Sequence, residues 1–329
     1  MKKAALLMRP RSFFGANIVN IPAIYIVKKY TGAERVAVFS DINLAGFYQQ
    51  IPWVDQHSEA QSFRKIFLEL DPDIDFLYSM RPSMDSLPFL KLGRRVKKAI
   101  GLSLRSKWLN SFYDYHLSCD TQAYRGVAHV QPLMNYLQLP QEAGFYMREA
   151  MLALLGSSFA YGAATHICLM PGAGAGEHKK WGIENYWSLA QQLHALNPIW
   201  QFDFILGVSE QYEKAFLLKR RHHLPFKLHQ NLSLRELIKI VENSSLTIAN
   251  DCGPSHISQC LAKPFIGIYG QPNPEWFFAH EQSHSVTARN TDIKSITVAT
   301  VYERCLNLLE QCPRKFKLVG LPHERHAAL

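Results

Sequence analysis

The sequence predicts an α/β protein with two doubly wound domains that face each other across a central cleft. Short apolar runs alternate with amphipathic stretches along the chain, which is the pattern of consecutive strand–helix units in a parallel sheet. The 329 residues are enough for two ordinary domains, and the alternation begins again after a linker-like stretch at residues 156–164. Ligands of such sheets bind at the carboxyl ends of the strands, so the cleft is the expected binding site.

The first series of elements predicts a domain over residues 1–160. Its apolar runs predict parallel strands at residues 4–8, 35–39 and 76–79. The helical spacing of apolar residues predicts helices at residues 18–30, 62–70, 124–137 and 142–155.

The second series predicts a domain over residues 161–310. Its predicted strands are residues 165–170, 202–206, 246–249 and 265–269. Its predicted helices are residues 183–196, 234–242, 256–261 and 301–309.

The formal net charge of +9 favours an anionic partner, such as a phosphorylated substrate or a membrane surface. No helix-turn-helix, RNP or zinc-finger pattern is present, so we expect no nucleic-acid partner. The apolar run after Met1 ends at Arg9, and no stretch approaches the length of a membrane span, so we expect a cytosolic protein. The six cysteines lack the close pairing of a zinc site, and we expect free thiols and no metal or other cofactor.

A glycine-rich loop follows the first strand of the second domain. It contains Gly172, Ala173 and Gly174, and Lys179 and Lys180 follow shortly after it. Glycines let backbone N–H groups approach a phosphate closely, and lysine ammonium groups neutralise a diphosphate. The GK[ST] ending of a Walker loop and the G-x-G-x-x-G spacing of a dinucleotide site are both absent. The loop therefore predicts a phosphate site of another kind.

Two further turns also follow strands of this domain. The segment at residues 249–256 contains Asp251, Cys252, Gly253 and His256, which present several polar groups toward the cleft. Glu210 follows the strand at residues 202–206, where a carboxylate could accept hydrogen bonds from ribose hydroxyls. Together these turns predict that the second domain binds a nucleotide-diphosphate sugar.

In their order along the chain, these segments resemble glycosyltransferase family 9, the lipopolysaccharide heptosyltransferases. The family pattern runs Pro-Gly-small-Gly, Lys-Lys/Arg-Trp, Gly-x-x-x-Glu or similar, Ser-Leu-x-Glu-Leu, Asp-Ser/Thr/Cys-Gly-x-x-His and an aromatic-Gly turn with proline. The matching stretches here are residues 171–174, 179–181, 207–210, 233–237, 251–256 and 269–274. The first half matches more loosely, at residues 15–23 and 75–101.

The resemblance implies the GT-B fold, in which two Rossmann-like domains face a central cleft and a C-terminal tail, here residues 311–329, returns toward the first domain. It also implies a metal-independent, inverting transferase that moves heptose from ADP-heptose to the Kdo or heptose region of the lipid A core. By position, Lys179 is then catalytic, and Arg11, Gly15, Arg81 and Ser83 bind the acceptor. The basic first domain adds an expected loose contact with the anionic inner leaflet of the membrane.

The sequence departs from the family at its general base. The family carries Gly-Asp in the first loop, and this chain has Gly15-Ala16. Alanine cannot accept the proton of the acceptor hydroxyl, and such help is worth about 10²–10⁴-fold in rate. Asn17 is next in the chain but is no base at neutral pH, so Asp41, after the second strand, and Asp85 are the candidate replacements. Asp73 and Asp75 precede a strand rather than follow one, and we do not assign them to a metal.

Three hypotheses follow from this departure. The chain is an active heptosyltransferase with a relocated or absent base, or a transferase of the same fold for another nucleotide sugar. Alternatively, it is a catalytically silent nucleotide-sugar-binding protein that acts on a paralogue.

Overall fold

Two six-stranded parallel sheets form the framework of the protein. The computed structural model describes residues 1–9, 11, 13–40, 45–60, 62–81, 87–156, 165–174 and 176–311. The predicted linker beyond residue 156 and the part of the predicted tail (311–329) beyond residue 311 lie outside the described residues. The predicted fold class, with two doubly wound sheets, is confirmed.

The first sheet has the strand order β3-β2-β1-β4-β5-β6, so its direction of winding reverses between β1 and β4. Every pair of neighbouring strands is parallel, with Leu6 opposite Val38 and Tyr78. The strands are β1 (Lys3–Leu7), β2 (Arg35–Ser40), β3 (Gln56–Glu59), β4 (Phe76–Ser79), β5 (Lys98–Leu102) and β6 (Tyr115–Leu117).

Helices connect and cover these strands. They are α1 (Phe14–Ile18), α2 (Ile21–Tyr30), α3 (Ala45–Tyr48), α4 (Phe63–Glu69), α5 (Leu87–Gly93), a 3-10 helix (Lys107–Phe112), α6 (Arg125–Leu137) and α7 (Ala143–Leu155). The single helix predicted at 18–30 is two helices. Pro22 cannot donate a backbone hydrogen bond, and it lies in the first turn of α2, where none is required.

The second sheet has the order β12-β11-β10-β7-β8-β9, which repeats the winding of the first, with its reversal between β7 and β10. Its strands are β7 (His166–Met170), β8 (Gln201–Leu206), β9 (Phe226–Gln230), β10 (Ser244–Asn250), β11 (Phe265–Tyr269) and β12 (Ser283–Thr287). Its helices are α8 (Ile183–Leu196), α9 (Gln211–Leu218), α10 (Leu234–Asn243), α11 (Ser255–Cys260) and α12 (Val298–Gln311), with 3-10 helices at Glu177–Lys179, Pro274–Trp276 and Ile293–Ser295.

One apolar core runs through both halves of the chain. It joins Leu6 and Ile24 of the first half to Leu237 and Ile257 of the second, with Tyr146 of α7 between them. Helix α7 packs against α2 and α6 on one side and α10 and α11 on the other. The two sheets are therefore held in a fixed relation by buried apolar contact. Among the described residues, no helix is both long and apolar enough to cross a bilayer.

The seven predicted strands are all present, with ends that differ by at most two residues, but five strands were missed. Four of them, β3, β6, β9 and β12, are the outer strands of the two sheets. An outer strand is covered less completely, so it needs no continuous apolar run, and these four carry polar residues such as those of Gln56–Glu59.

Candidate active site

A cavity of about 590 Å³ lies where the carboxyl ends of the two sheets face each other. The loop after β1 forms its first-half wall, and the turns after β7, β8 and β10 form its second-half wall. The cavity thus lies at the reversal points of both sheets, where doubly wound folds bind ligands.

Buried side chains hold the start of the glycine loop after β7. Gly172 and Gly174 line the cavity, and a Cβ atom on Gly172 would lie 2.9 Å from the carboxyl group of Glu210. The fully buried Asn250 donates to the carbonyl of Pro171 at 2.7 Å and accepts a hydrogen bond from the Tyr186 hydroxyl at 3.0 Å. A buried side chain therefore holds the start of this loop.

The two lysines beyond this loop have different surroundings. The Nζ atom of Lys179 lies 2.6 Å from a carboxylate oxygen of Asp251, and both side chains line the cavity. Lys180 is not among the lining residues, since its ammonium pairs with Glu213 at 2.9 Å and Glu177 at 2.7 Å. Burial alone would lower the pKa of Lys180, but these two ion pairs raise it above its ordinary value.

Glu210 supplies a buried carboxylate to the cavity wall. The residue is 3% exposed, and its Oε1 accepts a hydrogen bond from the Ser209 hydroxyl at 3.1 Å. Its Oε2 is buried beside Gly207 and has no hydrogen-bond partner among the described residues. A buried polar atom without a partner costs free energy, so a ligand hydroxyl that donated to this carboxylate would be bound favourably.

His256 presents a hydrogen-bond donor to the cavity. The Oε1 of Gln259 accepts from the backbone N–H of Phe278 at 2.7 Å, so its Nε2 is the group that donates to Nδ1 of His256 at 3.1 Å. Burial lowers the pKa of His256 to about 4, so the ring is neutral at pH 7. With Nδ1 accepting, the proton of the neutral ring is on Nε2, the nitrogen next to Gly15.

The loop after β1 touches the second half at Gly15. A Cβ atom on Gly15 would lie 2.6 Å from the His256 ring and 2.9 Å from the Cα of Gly253, so only glycine permits this approach. Ala16 lines the cavity beside it. Asn17 does not, because its amide donates to the carbonyls of Arg11 and Phe13 and its Oδ1 accepts from Tyr48.

An arginine cluster, formed by Arg9, Arg11 and Arg125, lies next to Ala16. With Ala16, Asn20, His129 and Trp276 these arginines line a second, very small cavity of about 10 Å³, and Arg11, Ala16 and Trp276 line the large cavity as well. Arg125 is almost fully buried and forms an ion pair with Glu275. Burial and the two neighbouring arginines lower the pKa of Arg9. Three cations beside this carboxylate give the cluster an excess of positive charge.

His129 marks the buried end of this cluster. Neither ring nitrogen has a hydrogen-bond partner among the described residues. Burial, and then the three arginines, lower its pKa to about 3. The neutral ring is therefore a poor proton acceptor.

Of the predicted site residues, eleven meet around the large cavity: Arg11, Gly15, Gly172, Ala173, Gly174, Lys179, Glu210, Asp251, Cys252, Gly253 and His256. Arg81 lies elsewhere, buried with its guanidinium donating to the carbonyls of Met8 and Ala60. Asp41, Ser83 and Asp85 fall outside the described residues. Within the described part of the chain, no group of three or more potential ligands could hold a metal ion.

Several residues of the site were not singled out from the sequence. Trp276 lines both cavities and lies 5.7 Å from the Arg11 guanidinium, and Arg125 and His129 come from α6. In the sequence, Arg125 and His129 appear as polar residues on an amphipathic helix, with no motif around them. The proline-rich turn that precedes Trp276 was the available signal, since it matched the family pattern.

Comparison with protein families gives one match. The family model of glycosyltransferase family 9 (heptosyltransferase) matches residues 85–300. No curated protein sequence matches the chain.

Solved structures with the same fold include two from E. coli. Heptosyltransferase WaaC, solved with ADP, is 12% identical with a TM-score of 0.68 over 94% of this chain and 99% of its own. ADP-heptose lps heptosyltransferase II is 17% identical with a TM-score of 0.61 over 94% of this chain and 99% of its own. A family 9 glycosyltransferase from Veillonella parvula is 14% identical with a TM-score of 0.66, covering 94% and 98% of the two chains.

Proposed function

The chain belongs to glycosyltransferase family 9, and on that premise we propose that it transfers heptose from ADP-heptose to the inner core of lipopolysaccharide with inversion at the anomeric carbon. The observation that carries the proposal is the cavity in which a phosphate-type glycine loop and a lysine, both after β7, converge with a buried carboxylate from the turn after the neighbouring strand β8.

The donor fits this cavity by its chemistry. We assign the ribose hydroxyls to Glu210, whose Oε2 has no partner among the described residues. We assign the diphosphate to the loop at Gly172–Gly174, to Lys179 and to the Nε2–H of His256. When the bond between the sugar C1 and the phosphate oxygen breaks, the electron pair leaves with ADP. Donors already in place then stabilise the new charge.

The acceptor fits the arginine cluster. The inner core carries acidic sugars, and the excess positive charge of Arg9, Arg11 and Arg125 lies beside Ala16, next to the donor cavity. Arg11 borders both cavities, so an acidic group bound there would place a neighbouring hydroxyl near the sugar C1. The placement of Arg81 on backbone carbonyls favours a role in shaping this wall rather than direct acceptor contact.

The acceptor proton needs a destination, because Ala16 replaces the family aspartate. Asn17 is held by backbone carbonyls and Tyr48, and the pKa of His129 is far too low for an effective base. We propose Asp41, which follows β2 directly in the sequence, as the base. The transfer uses no metal ion. An Asp41→Asn variant with normal turnover would remove this assignment.

Calorimetric titration with nucleotide diphosphates tests the donor assignment. We expect ADP to bind and UDP, GDP and CDP to bind at least about tenfold more weakly. Equal binding of all four would contradict an adenine-specific donor and favour a transferase of the same fold for another nucleotide sugar.

Ala16 also favours a second candidate, a catalytically silent protein that binds the nucleotide sugar and regulates a paralogue. The cavity would then retain ADP binding while transfer to every inner-core acceptor is absent. An Ala16→Asp variant that gains transfer activity from an inactive parent would support this candidate.

The proposed acceptor is attached to lipid, so the proposed place of work is the cytoplasmic surface of the inner membrane. The net charge of +9 supports electrostatic attraction to an anionic leaflet.

A further inference from the structure

Three helices of the first half begin at the same edge of the first sheet. Helix α4 follows β3, α5 follows β4 and the 3-10 helix at Lys107–Phe112 follows β5. Because all these strands are parallel, their carboxyl ends share one edge, and the loop after β1 that borders the donor cavity leaves from the same edge. The starts of the three helices therefore lie on the cavity side of the first sheet.

Large apolar side chains at these helix starts are exposed. Phe89 is 64% exposed and Trp108 is 70% exposed, and Phe63, at the first position of α4, lies 5.8 Å from Phe89 between ring centroids. Their neighbours Ile66, Leu87, Leu90 and Leu109 are buried against the sheet, so the helices already have a complete inner face. We call Phe63, Phe89 and Trp108 the apolar rim.

Basic residues lie beside the apolar rim at two of the helix starts. Arg64 and Lys65 follow Phe63 in the chain, and Arg105 and Lys107 precede Trp108. The stretches 62–65 and 103–108 contain these four basic residues and no acidic residue. Among the described residues, Arg64, Arg105 and Lys107 form no ion pair with an acidic side chain, whereas Lys65 pairs with Glu69. The surface therefore combines exposed apolar side chains with an excess of positive charge.

We propose that the apolar rim inserts into the interfacial region of an anionic lipid bilayer, with the neighbouring basic residues on the lipid headgroups. Tryptophan and phenylalanine partition to the headgroup level of a bilayer, and lysine and arginine near its surface are attracted by anionic lipid. The rim side chains come from three separate helix starts and are accompanied by an excess of positive charge, which favours an anionic lipid surface.

The placement has a consequence for the proposed function, on which this step rests. A bilayer on the apolar rim would lie against the edge of the first sheet that opens to the donor cavity and the arginine cluster. A headgroup sugar of a membrane lipid could then reach the cavity without leaving the bilayer.

Vesicle sedimentation with the full chain tests the proposal. The vesicles contain phosphatidylcholine with about a third phosphatidylglycerol, and neither donor nor acceptor is present. We expect the double variant Phe89→Ser/Trp108→Ser to bind at least about tenfold more weakly than the parent, since each ring loses apolar burial. A matched control, Ile199→Ser/Tyr212→Ser, removes side chains that are 59% and 66% exposed in the second half and should change binding less than twofold.

The charge requirement is tested by Arg64→Gln/Lys107→Gln, with about a fivefold loss expected for each cation removed. Lys219→Gln/Arg221→Gln in the second half is the control. No binding to anionic vesicles, or equal losses in rim and control variants, would overturn the proposal.

Fluorescence distinguishes insertion from surface attraction. Trp108 should be quenched by lipids brominated on the acyl chain, and Trp108→Phe should keep binding while losing most of that quenching. Insertion would be contradicted if the protein bound anionic vesicles without quenching of Trp108 and bound polyglutamate with equal affinity. The surface would then be assigned to an acidic protein.

Transfer assays separate this proposal from the proposed function. Rim variants should transfer sugar to a delipidated, soluble acceptor at the parental rate and lose about tenfold on an acceptor in vesicles. If neither parent nor variants transfer sugar to any acceptor, the vesicle-binding result still stands. If the rim variants match the parental rate on the vesicle acceptor as well as on the soluble one, the rim has no role in delivery.

Discussion

At the scale of single residues, Glu210 carries the clearest sign of a ligand. Its carboxylate is buried, and one oxygen has no partner among the described residues. A buried polar atom without a partner costs free energy, and we propose that ribose hydroxyls offset part of this cost by donating to the Glu210 carboxylate. The family pattern gave its position in the sequence, but the missing partner is visible only in the structure.

We predict opposite effects of Glu210→Gln on stability and binding. The free protein should gain about 1 kcal/mol, because a neutral amide is less costly to bury than an unpaired carboxylate. ADP should bind about 10- to 100-fold more weakly through loss of a charge-assisted hydrogen bond. Urea unfolding and calorimetric titration measure the two quantities, and Glu303→Gln on the exposed face of α12 is the control. Tighter or unchanged ADP binding would contradict the assignment.

Lys179 and Lys180 are adjacent in sequence but should respond differently to substitution. Lys179→Ala should lower kcat about 10²–10³-fold, because it removes a cation from the leaving diphosphate, with little change in melting temperature. Lys180→Ala should mainly lower the melting temperature, since it leaves the buried Glu213 without its cation. Steady-state kinetics and thermal unfolding distinguish them, with the exposed Lys219→Ala as control. Normal turnover of Lys179→Ala would refute its role.

The buried histidines predict acid sensitivity. The pKa values of His129 and His256 are lowered from 6.5 to about 3 and about 4. Between pH 6.5 and 4 the unfolded chain binds protons at these positions and the folded chain does not, so stability is complete above pH 6.5 and falls as the pH decreases.

Because of these two histidines, the free energy of unfolding should fall by about 3 kcal/mol between pH 7.5 and pH 5.5. Each histidine contributes about 1.4 kcal/mol for each pH unit below 6.5. Urea unfolding at the two pH values measures the loss. The double variant His129→Asn/His256→Gln should lose much less over the same interval. An equal loss in parent and variant would show that other groups are responsible.

At the scale of helices and strands, α7 joins the two halves. Arg148 on α7 pairs with Glu242 at the end of α10 at 2.8 Å and donates to the carbonyl of Leu261 at 2.5 Å. Glu242 is 2% exposed, whereas the Arg148 side chain is 36% exposed. Only the Glu242 carboxylate of this ion pair is therefore buried.

Arg148→Ala should destabilise the protein by about 2–3 kcal/mol, because it leaves the Glu242 carboxylate buried without a cation and removes a contact between the halves. Urea unfolding measures the change. Lys65→Ala, which breaks an exposed pair with Glu69, should cost no more than about 0.5 kcal/mol. Equal effects of the two substitutions would contradict a structural role for the Arg148 pair.

The inner elements of the fold could be predicted from the sequence, and the outer ones could not. Inner strands such as β7 and β11 are buried on both faces, which requires continuous apolar runs. The outer strand β9 is held partly by polar contacts, with His229 donating to Asp203 of β8 at 2.7 Å. Such a contact joins distant positions and leaves no periodic signal.

The same limit applies to the site. The glycine loop, Lys179 and Asp251 each lie within a short contiguous motif, so they could be found from the sequence. The arginine cluster draws on Arg9 and Arg11 after β1 and Arg125 on α6, more than a hundred residues apart, and only the fold brings these residues together.

At the scale of the whole molecule, two sheets with the same winding place their reversal points on opposite sides of one cavity. The second sheet supplies the glycine loop, Glu210 and His256, and the first supplies Gly15, Ala16 and the arginine cluster. A shared apolar core fixes the sheets close enough for Gly15 to touch His256. This division supports a donor on one side, an acceptor on the other and transfer between them.

The measurement that tests this account most directly is mass spectrometry of a Kdo-bearing lipid A acceptor after incubation with the purified protein and ADP-heptose. We predict an acceptor heavier by one heptose, with Lys179→Ala giving little product in the same time. ADP binding without a heptose adduct on this acceptor or on a panel of inner-core acceptors would contradict transfer and leave a nucleotide-sugar-binding protein.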